Sequence, residues 1–98
     1  MAGYWEDNDY NVTEIEYQNG QYGAVTTYYT VASSSQNSLV SSSYENGVLT
    51  WTYCPPARPC ITMQTVSFNG DTLVVNWTDD KGGSGQMTLQ RVESAPKP

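Results

Sequence analysis

Large apolar and aromatic side chains alternate with polar ones along much of this chain, with the two-residue period of a half-buried β-strand. Three runs keep this period most clearly: Leu49, Trp51 and Tyr53; Leu73, Val75 and Trp77; and Met87, Leu89 and Arg91. The pattern predicts eight strands, at about 3–6, 10–18, 21–31, 38–45, 48–54, 60–68, 71–78 and 85–92.

One strand changes phase along its length. Ile61 and Met63 follow the same face, whereas Val66 and Phe68 fall on the other one. An extra residue in one strand of a pair shifts the phase in this way. We therefore predict a β-bulge near 64–65, which would also help the sheet to bend.

The turns indicate how the strands are connected. Asn-Gly, the dipeptide that favours the type I′ hairpin turn, occurs at 19–20, 46–47 and 69–70. The other connections, at 6–9, 33–37, 54–60 and 79–84, are longer. In an antiparallel meander the loops alternate between two ends, so the tight turns share one end, the base, and the longer loops share the other, the mouth. We predict an all-β fold: an eight-stranded antiparallel up-and-down meander closed into a small barrel, which leaves no exposed strand edge.

Length and composition agree with one β domain. The 98 residues suffice for a single domain. We predict that it spans residues 1–93 and that residues 94–98 form a flexible C-terminal tail. β-branched and aromatic residues greatly outnumber Leu and Ala, two strong helix formers.

Charge and residue types exclude several classes of protein. The net charge is −6, and no Lys or Arg precedes Arg58, whereas a nucleic-acid-binding domain needs a basic stripe. No run approaches the ~20 apolar residues of a membrane-spanning helix. The chain has no His, no phosphate-binding loop and no nucleophile elbow. We therefore expect no nucleic-acid partner, no membrane span, no cofactor, no metal and no enzymatic activity, and we expect a monomer.

The two ends of the predicted barrel carry a recognisable pair. Gly3-Tyr4-Trp5 opens the first strand, and Arg91 stands in Leu89-Gln90-Arg91-Val92 near the end of the last strand. In this respect the chain resembles the lipocalins and the wider calycin group, in which a Gly-x-Trp motif is followed by a basic residue stacked on the Trp at the closed end. The resemblance implies a lipocalin-like barrel that carries a ligand, with structural roles for Trp5 and Arg91. The chain departs from the family in being shorter and in lacking both a helix after the barrel and the family's Thr-Asp-Tyr turn.

Two cysteines, Cys54 and Cys60, enclose a short proline-rich loop. A metal site needs three or four ligands, and the chain has no His or further Cys to complete one. A structural disulfide is therefore favoured. Disulfides persist in oxidising compartments, so we expect a secreted or periplasmic protein.

Acidic residues gather at the predicted mouth. Segment 6–11 has the Asp-x-Asp-x-Asn spacing of a calcium loop, but Val12 and Gln18 stand where such a loop needs Gly and Glu. A solvated loop is favoured over a weak cation site. Asp79 and Asp80, in another loop of the mouth, would extend an acidic rim that attracts cations, although a solubilising surface of one charge sign is the favoured interpretation.

These features lead to one main functional hypothesis and two alternatives. The barrel would bind a small, partly apolar ligand, cationic ligands included, at its mouth. The residues predicted to bind it are Trp51, Tyr53, Trp77, Tyr28, Asp79 and Asp80. Inward aromatic side chains in so short a barrel are more often part of the core than of a binding site. The first alternative is a protein-interaction module, such as an inhibitor of a secreted enzyme, that presents loop 55–59 to a partner. The second is a carbohydrate-binding module, which predicts two or three coplanar exposed rings.

Overall fold

The computed structural model describes residues 1–31, 34–55 and 58–96. Its strands are β1 (Gly3–Glu6), β2 (Val12–Gln18), β3 (Gln21–Val31), β4 (Ser34–Leu39), β5 (Ser41–Glu45), β6 (Val48–Tyr53), β7 (Ile61–Asn69), β8 (Thr72–Asp79) and β9 (Ser84–Val92). They form one antiparallel sheet in the order β4-β3-β2-β1-β9-β8-β7-β6-β5, which curls into a nearly closed barrel. The predicted all-β, up-and-down architecture is confirmed, with nine strands in place of eight.

The additional strand comes from a division of the fourth predicted one. Residues 34–39 pair with β3, and residues 41–45 pair with β6, so the chain changes partner at Val40. Much of the loop expected at 33–37 is therefore strand. β3 and β5 lie side by side, but in the described residues no strand pairing joins them. We call the gap between residues 21–25 and β5 the seam.

The base carries three two-residue turns, of which two have the predicted form. Asn19-Gly20 and Asn46-Gly47 have positive φ at both positions, as type I′ requires. In the third turn Asn69 is still paired, with Thr72, and the turn residues are Gly70 and Asp71. Only Gly70, the first of these, has a positive φ (61°), which is the type II′ pattern. The type I′ prediction was wrong there because β7 runs one residue further than its aromatic pattern indicated.

A single apolar cluster lies inside the barrel. Its members are each at most 5 % exposed and come from seven of the strands: Trp5, Ile15, Ala24, Tyr29, Leu49, Trp51, Tyr53, Met63, Leu73, Val75 and Leu89. Burial of this set is the main favourable contribution to folding in so small a domain.

Two β-bulges decide which side chains face the inside of the barrel. In β7 the register skips Val66, one residue beyond the predicted bulge, and Phe68 therefore returns to the inner side, where its ring meets Trp5 edge-on at 5.9 Å. In β3 the register skips Val25. This second bulge, which the sequence pattern did not reveal, turns Tyr29 inward and leaves Tyr28 outside.

Arg91 ties the base together. Its guanidinium lies over the Trp5 ring, 4.4 Å from the centroid, where the family resemblance placed it. It donates hydrogen bonds to the carbonyl oxygens of Ala2 (2.7 Å) and Gly70 (3.2 Å), and its Nε is 3.4 Å from the exposed carboxylate of Asp71. One side chain thus joins the first strand, the last strand and the β7–β8 turn.

Gly3 is required by this arrangement for two reasons. Its φ of +136° is a conformation that residues with a side chain rarely adopt. A Cβ at this position would also collide with the Arg91 guanidinium. The glycine of the Gly-x-Trp motif therefore has a steric explanation in this chain.

The chain leaves the barrel after Val92, where β9 ends. The tail predicted at 94–98 falls partly on residues 97 and 98, which lie outside the described residues. In the part of the chain that the structure describes, no helix is long and apolar enough to cross a membrane.

Candidate functional site at the mouth of the barrel

The mouth carries the β1–β2, β6–β7 and β8–β9 loops, and the β1–β2 loop is built around Asp7. The Asp7 carboxylate oxygen Oδ1 accepts hydrogen bonds from the backbone N–H groups of Asp9 and Asn11, both at 2.9 Å. The Asp7 N–H donates in turn to the Asn11 carbonyl at 2.9 Å. Tyr10 adopts a positive φ (64°), which closes the loop.

The β8–β9 loop repeats this construction around Asp79. Its Oδ1 accepts hydrogen bonds from the backbone N–H groups of Lys81 (2.9 Å) and Gly83 (2.7 Å), and Gly82 takes the positive φ. Asp favours such loops because its short carboxylate can accept hydrogen bonds from the backbone N–H groups of the residues two and four positions later. The Asp79 carboxylate therefore stabilises its own loop, whereas Asp80 is exposed.

The acids of the mouth do not form a metal site. Among the described residues, no group of three or more Asp, Glu, His or Cys side chains is arranged to hold a metal ion. The carboxylate oxygens of Asp7 and Asp79 instead bind backbone N–H groups, which fixes them within their own loops.

Aromatic side chains line the inside of the barrel below the mouth. Tyr29 and Tyr53 pack with ring centroids 6.0 Å apart, and Trp51 shares the inner face of β6 with Tyr53. All three belong to the buried cluster, and Trp51 is fully buried. One polar atom in this group, the Trp51 Nε1, has no hydrogen-bond partner in the described structure, whereas the Tyr29 hydroxyl has the Ser38 side chain beside it.

The β1–β2 loop interacts with this aromatic group. Burial raises the pKa of the Asp7 carboxyl to about 6, although the hydrogen bonds from Asn11 and Asp9 oppose the shift. Burial also raises the pKa of the Tyr53 phenol well above its ordinary value, and the nearby charges of Asp7 and Asp9 add to that effect. Tyr53 is therefore a neutral phenol at physiological pH, and the loop lies close enough to influence it electrostatically.

The structure brings some of the predicted ligand residues together and separates others. Trp51 and Tyr53 both lie inside, and Trp77 is half-buried on the same face of β8 as Leu73 and Val75, with its indole against Gly85. Tyr28 is on the outer face, where its hydroxyl donates to the Glu14 carboxylate at 3.3 Å.

Tyr29 takes the inward place that sequence reasoning gave to Tyr28. The alternation rule puts two adjacent tyrosines on opposite faces but does not say which one faces inward. The bulge at Val25 settles the matter, because it reverses the inward and outward phase of the residues that follow, up to Tyr29. Asn11, which lies against both Asp7 and Tyr53, was also missed.

The predicted disulfide is confirmed. Cys54 and Cys60 are bonded and join the end of β6 to the start of β7 at the mouth. Arg58 in this loop is exposed, and its N–H donates to the Pro55 carbonyl at 3.4 Å. Residues 56 and 57, which belong to the proline-rich loop of the interaction hypothesis, are not among the described ones.

No protein-family model, no curated protein and no solved structure matches this chain. The likeness to lipocalins therefore consists of the nearly closed antiparallel barrel and the Trp5–Arg91 pair.

Proposed function

We propose that this protein is a small exported, monomeric, lipocalin-like barrel that binds a small, partly apolar ligand in the upper half of its interior. The observation that carries the proposal is the buried, unpartnered Trp51 Nε1, which shares the inside of the barrel with Tyr29 and Tyr53. Leaving such a group without a partner costs about 1–3 kcal/mol, and most buried polar groups are satisfied. A ligand that supplies the missing partner would recover that free energy.

The residues constrain the chemistry of the ligand. An indole N–H can only donate, so the ligand must present a hydrogen-bond acceptor to Trp51. The rings of Tyr29 and Tyr53 offer apolar surface for a flat or aromatic body. A net charge of −6 and an acidic rim disfavour anions, so the preferred ligand is neutral or cationic.

Access would be through the mouth. The β1–β2 loop lies near Tyr53, so the loop has to move before a ligand reaches the buried ring. Trp77, half-buried at the same end of the barrel, would contact the ligand on its way in. The disulfide supports the export part of the proposal, because such bonds persist in oxidising compartments.

The proposal can be tested with a small set of benzene derivatives in a thermal-shift assay on the full chain. Benzamide is neutral and has an acceptor, aminomethylbenzamide adds a positive charge, benzoate is an anion, and toluene has no acceptor. We expect the first two to raise the melting temperature of the wild-type protein and the last two to have a much smaller effect.

Two variants locate the binding site. Trp51→Phe and Tyr29→Phe keep an aromatic ring and remove the unpartnered indole N–H and the Tyr29 hydroxyl, respectively. We expect Trp51→Phe to leave the ligand-free protein as stable as the wild type or more stable, and both variants to abolish most of the shift caused by benzamide. Tyr17→Phe, which changes an exposed tyrosine at the base, is the matched control. Equal shifts in all variants, or no shift with any compound, would refute the proposal.

A further inference from the structure

The seam between β3 and β5 opens to the outside as a groove of about 240 Å³. It lies toward the base of the barrel, because β3 begins and β5 ends at base turns. The groove is therefore separate from the aromatic group below the mouth. Its volume is below the ~300–1,000 Å³ of pockets for drug-sized ligands, so it suits a ligand of about one ring.

Local features of the sequence keep the seam from closing. The bulge at Val25 interrupts β3, and the change of partner at Val40 ends the pairing between β3 and β4. Gly23 contributes no side chain, and a Cβ there would be 3.6 Å from the Ser42 hydroxyl oxygen. Strand edges normally find a partner or are covered, so an edge held open is a surface available for hydrogen bonding.

The lining combines many small polar groups with aromatic rings. It contains one carboxylate, two amides, two hydroxyls and two phenols, from Glu16, Gln18, Gln21, Ser42, Ser43, Tyr22 and Tyr44, and is completed by Gly23 and Val25. The rings of Tyr22 and Tyr44 meet edge-on at 5.4 Å, and Tyr22 also packs against Tyr17 at 4.6 Å. None of the lining residues carries a positive charge.

We infer that the seam is a binding site for a neutral or cationic sugar ring. A hexose presents hydroxyl groups that both donate and accept, and amides, hydroxyls and a carboxylate are complementary partners for them. The C–H face of a sugar can pack on a phenol ring such as Tyr22 or Tyr44. The carboxylate of Glu16 and the net charge of −6 disfavour phosphorylated or carboxylated sugars.

The geometry argues against two other occupants. An inserted peptide strand needs about 4.8 Å to each neighbouring strand, about 9.6 Å in all, and β3 and β5 have Cα atoms within 8 Å of each other. A flat polysaccharide surface needs coplanar rings, but the interplanar angles here are 56° and 73°. The site therefore fits a single sugar ring, such as the end of a glycan.

The inference is tested by titrating the full ¹⁵N-labelled chain with glucose, glucosamine and glucose phosphate while amide NMR shifts are recorded. A shallow polar site for one ring predicts millimolar affinity. We expect glucose and glucosamine to move the amide signals of residues 21–25 and 42–44 in a saturable way. Glucose phosphate should have little effect, and the signals of Asp7 and Tyr53 at the mouth should stay in place.

Paired variants distinguish a site from general surface solvation. Gln21→Ala removes a lining amide, and Gln86→Ala removes an exposed glutamine from the outer face of β9. We expect the first to weaken glucosamine binding several-fold and the second to leave it unchanged. Equal effects of the two variants, shifts confined to the mouth, or no saturable shift at millimolar sugar would each overturn the inference. None of these results depends on the benzamide experiment, so the two proposals can fail separately.

Discussion

The guanidinium of Arg91 lies over the indole ring of Trp5, with 4.4 Å between the guanidinium carbon and the ring centroid. The same group binds the carbonyl oxygens of Ala2 and Gly70. A cation–π contact is worth about 0.5–2 kcal/mol, and hydrogen bonds from a charged donor add to it. The pair is therefore a stabilising contact as well as a point of resemblance to a family.

We expect Arg91→Ala to lower the free energy of unfolding by about 1–3 kcal/mol, because it removes the stacking and both carbonyl contacts. Arg91→Lys keeps the charge but loses the planar guanidinium, so its free energy of unfolding should lie between those of the wild type and Arg91→Ala. Urea unfolding followed by tryptophan fluorescence measures the difference. Lys81→Ala, which removes an exposed cation at the mouth, is the control; equal losses in the two Ala variants would contradict the prediction.

Gly3→Ala is expected to cost about 1–3 kcal/mol, because the new Cβ adds a collision with Arg91 to the strain of a positive φ. Gly20→Ala is matched to it, since that glycine also has a positive φ but nothing within 4 Å of the added Cβ. The decisive measurement is a double-mutant cycle. In the Arg91→Ala background Gly3→Ala should cost less, because the colliding group is gone; strict additivity would show that the collision is not relevant.

Thr65 satisfies a buried backbone group that lies just beyond the last β6–β7 pair, Thr50–Gln64. Its hydroxyl accepts a hydrogen bond from the buried Leu49 N–H at 2.9 Å. We expect Thr65→Val to cost about 1–3 kcal/mol and to speed hydrogen exchange at the Leu49 amide. Thr65→Ser keeps the acceptor and should restore most of the protection, whereas equal exchange rates in the two variants would count against this role.

Asp7 should make the stability of the barrel depend on pH. Its folded-state pKa of about 6 lies above the ordinary 3.8, so the folded chain holds this proton more tightly than the unfolded chain does. The tighter binding of this proton adds to the free energy of unfolding. That addition is complete below about pH 3.8 and is lost as the pH rises through 6. Asp7→Asn keeps the acceptor oxygen and removes the charge.

At pH 7 we therefore expect Asp7→Asn to be more stable than the wild type, by about 1–2 kcal/mol after allowance for residual exposure, and the gain to vanish near pH 3.5. Urea midpoints measured across this range provide the test. Asp79→Asn removes a carboxylate from a loop of the same design, and the contribution of Asp7 should persist in that variant. An Asp7→Asn curve parallel to that of the wild type at every pH would refute the assignment.

The fold was largely predictable because turn and strand signals in this sequence are local. Asn19-Gly20 and Asn46-Gly47 mark their hairpins directly, and the phase slip before Phe68 revealed a bulge. The division at Val40 left no such signal, since a run of serines has no apolar alternation to indicate which strand it pairs with. Its pairing depends on the closing of the sheet, which is a tertiary effect.

The candidate site was predictable only in part, for a related reason. Trp51 and Tyr53 were placed inside correctly by their alternation with Leu49. The inward tyrosine of β3 depended on the bulge at Val25, and the seam depended on two strands that are distant in sequence. The unpartnered state of the Trp51 nitrogen is a property of the packed interior and has no signature in the sequence.

The contact between Ala2 and Arg91 spans 89 positions of the sequence, and β1 pairs on one side with β2 and on the other with β9. The hairpins from β5 to β9 can form as each strand leaves the ribosome, but one edge of β1 has to wait until residues 90–92 have been made. Closure of the barrel is thus a late event that joins the first strand to the last. During synthesis the chain keeps an open β1 edge that a chaperone could recognise, and pairing with β9 covers that edge once residues 90–92 are in place.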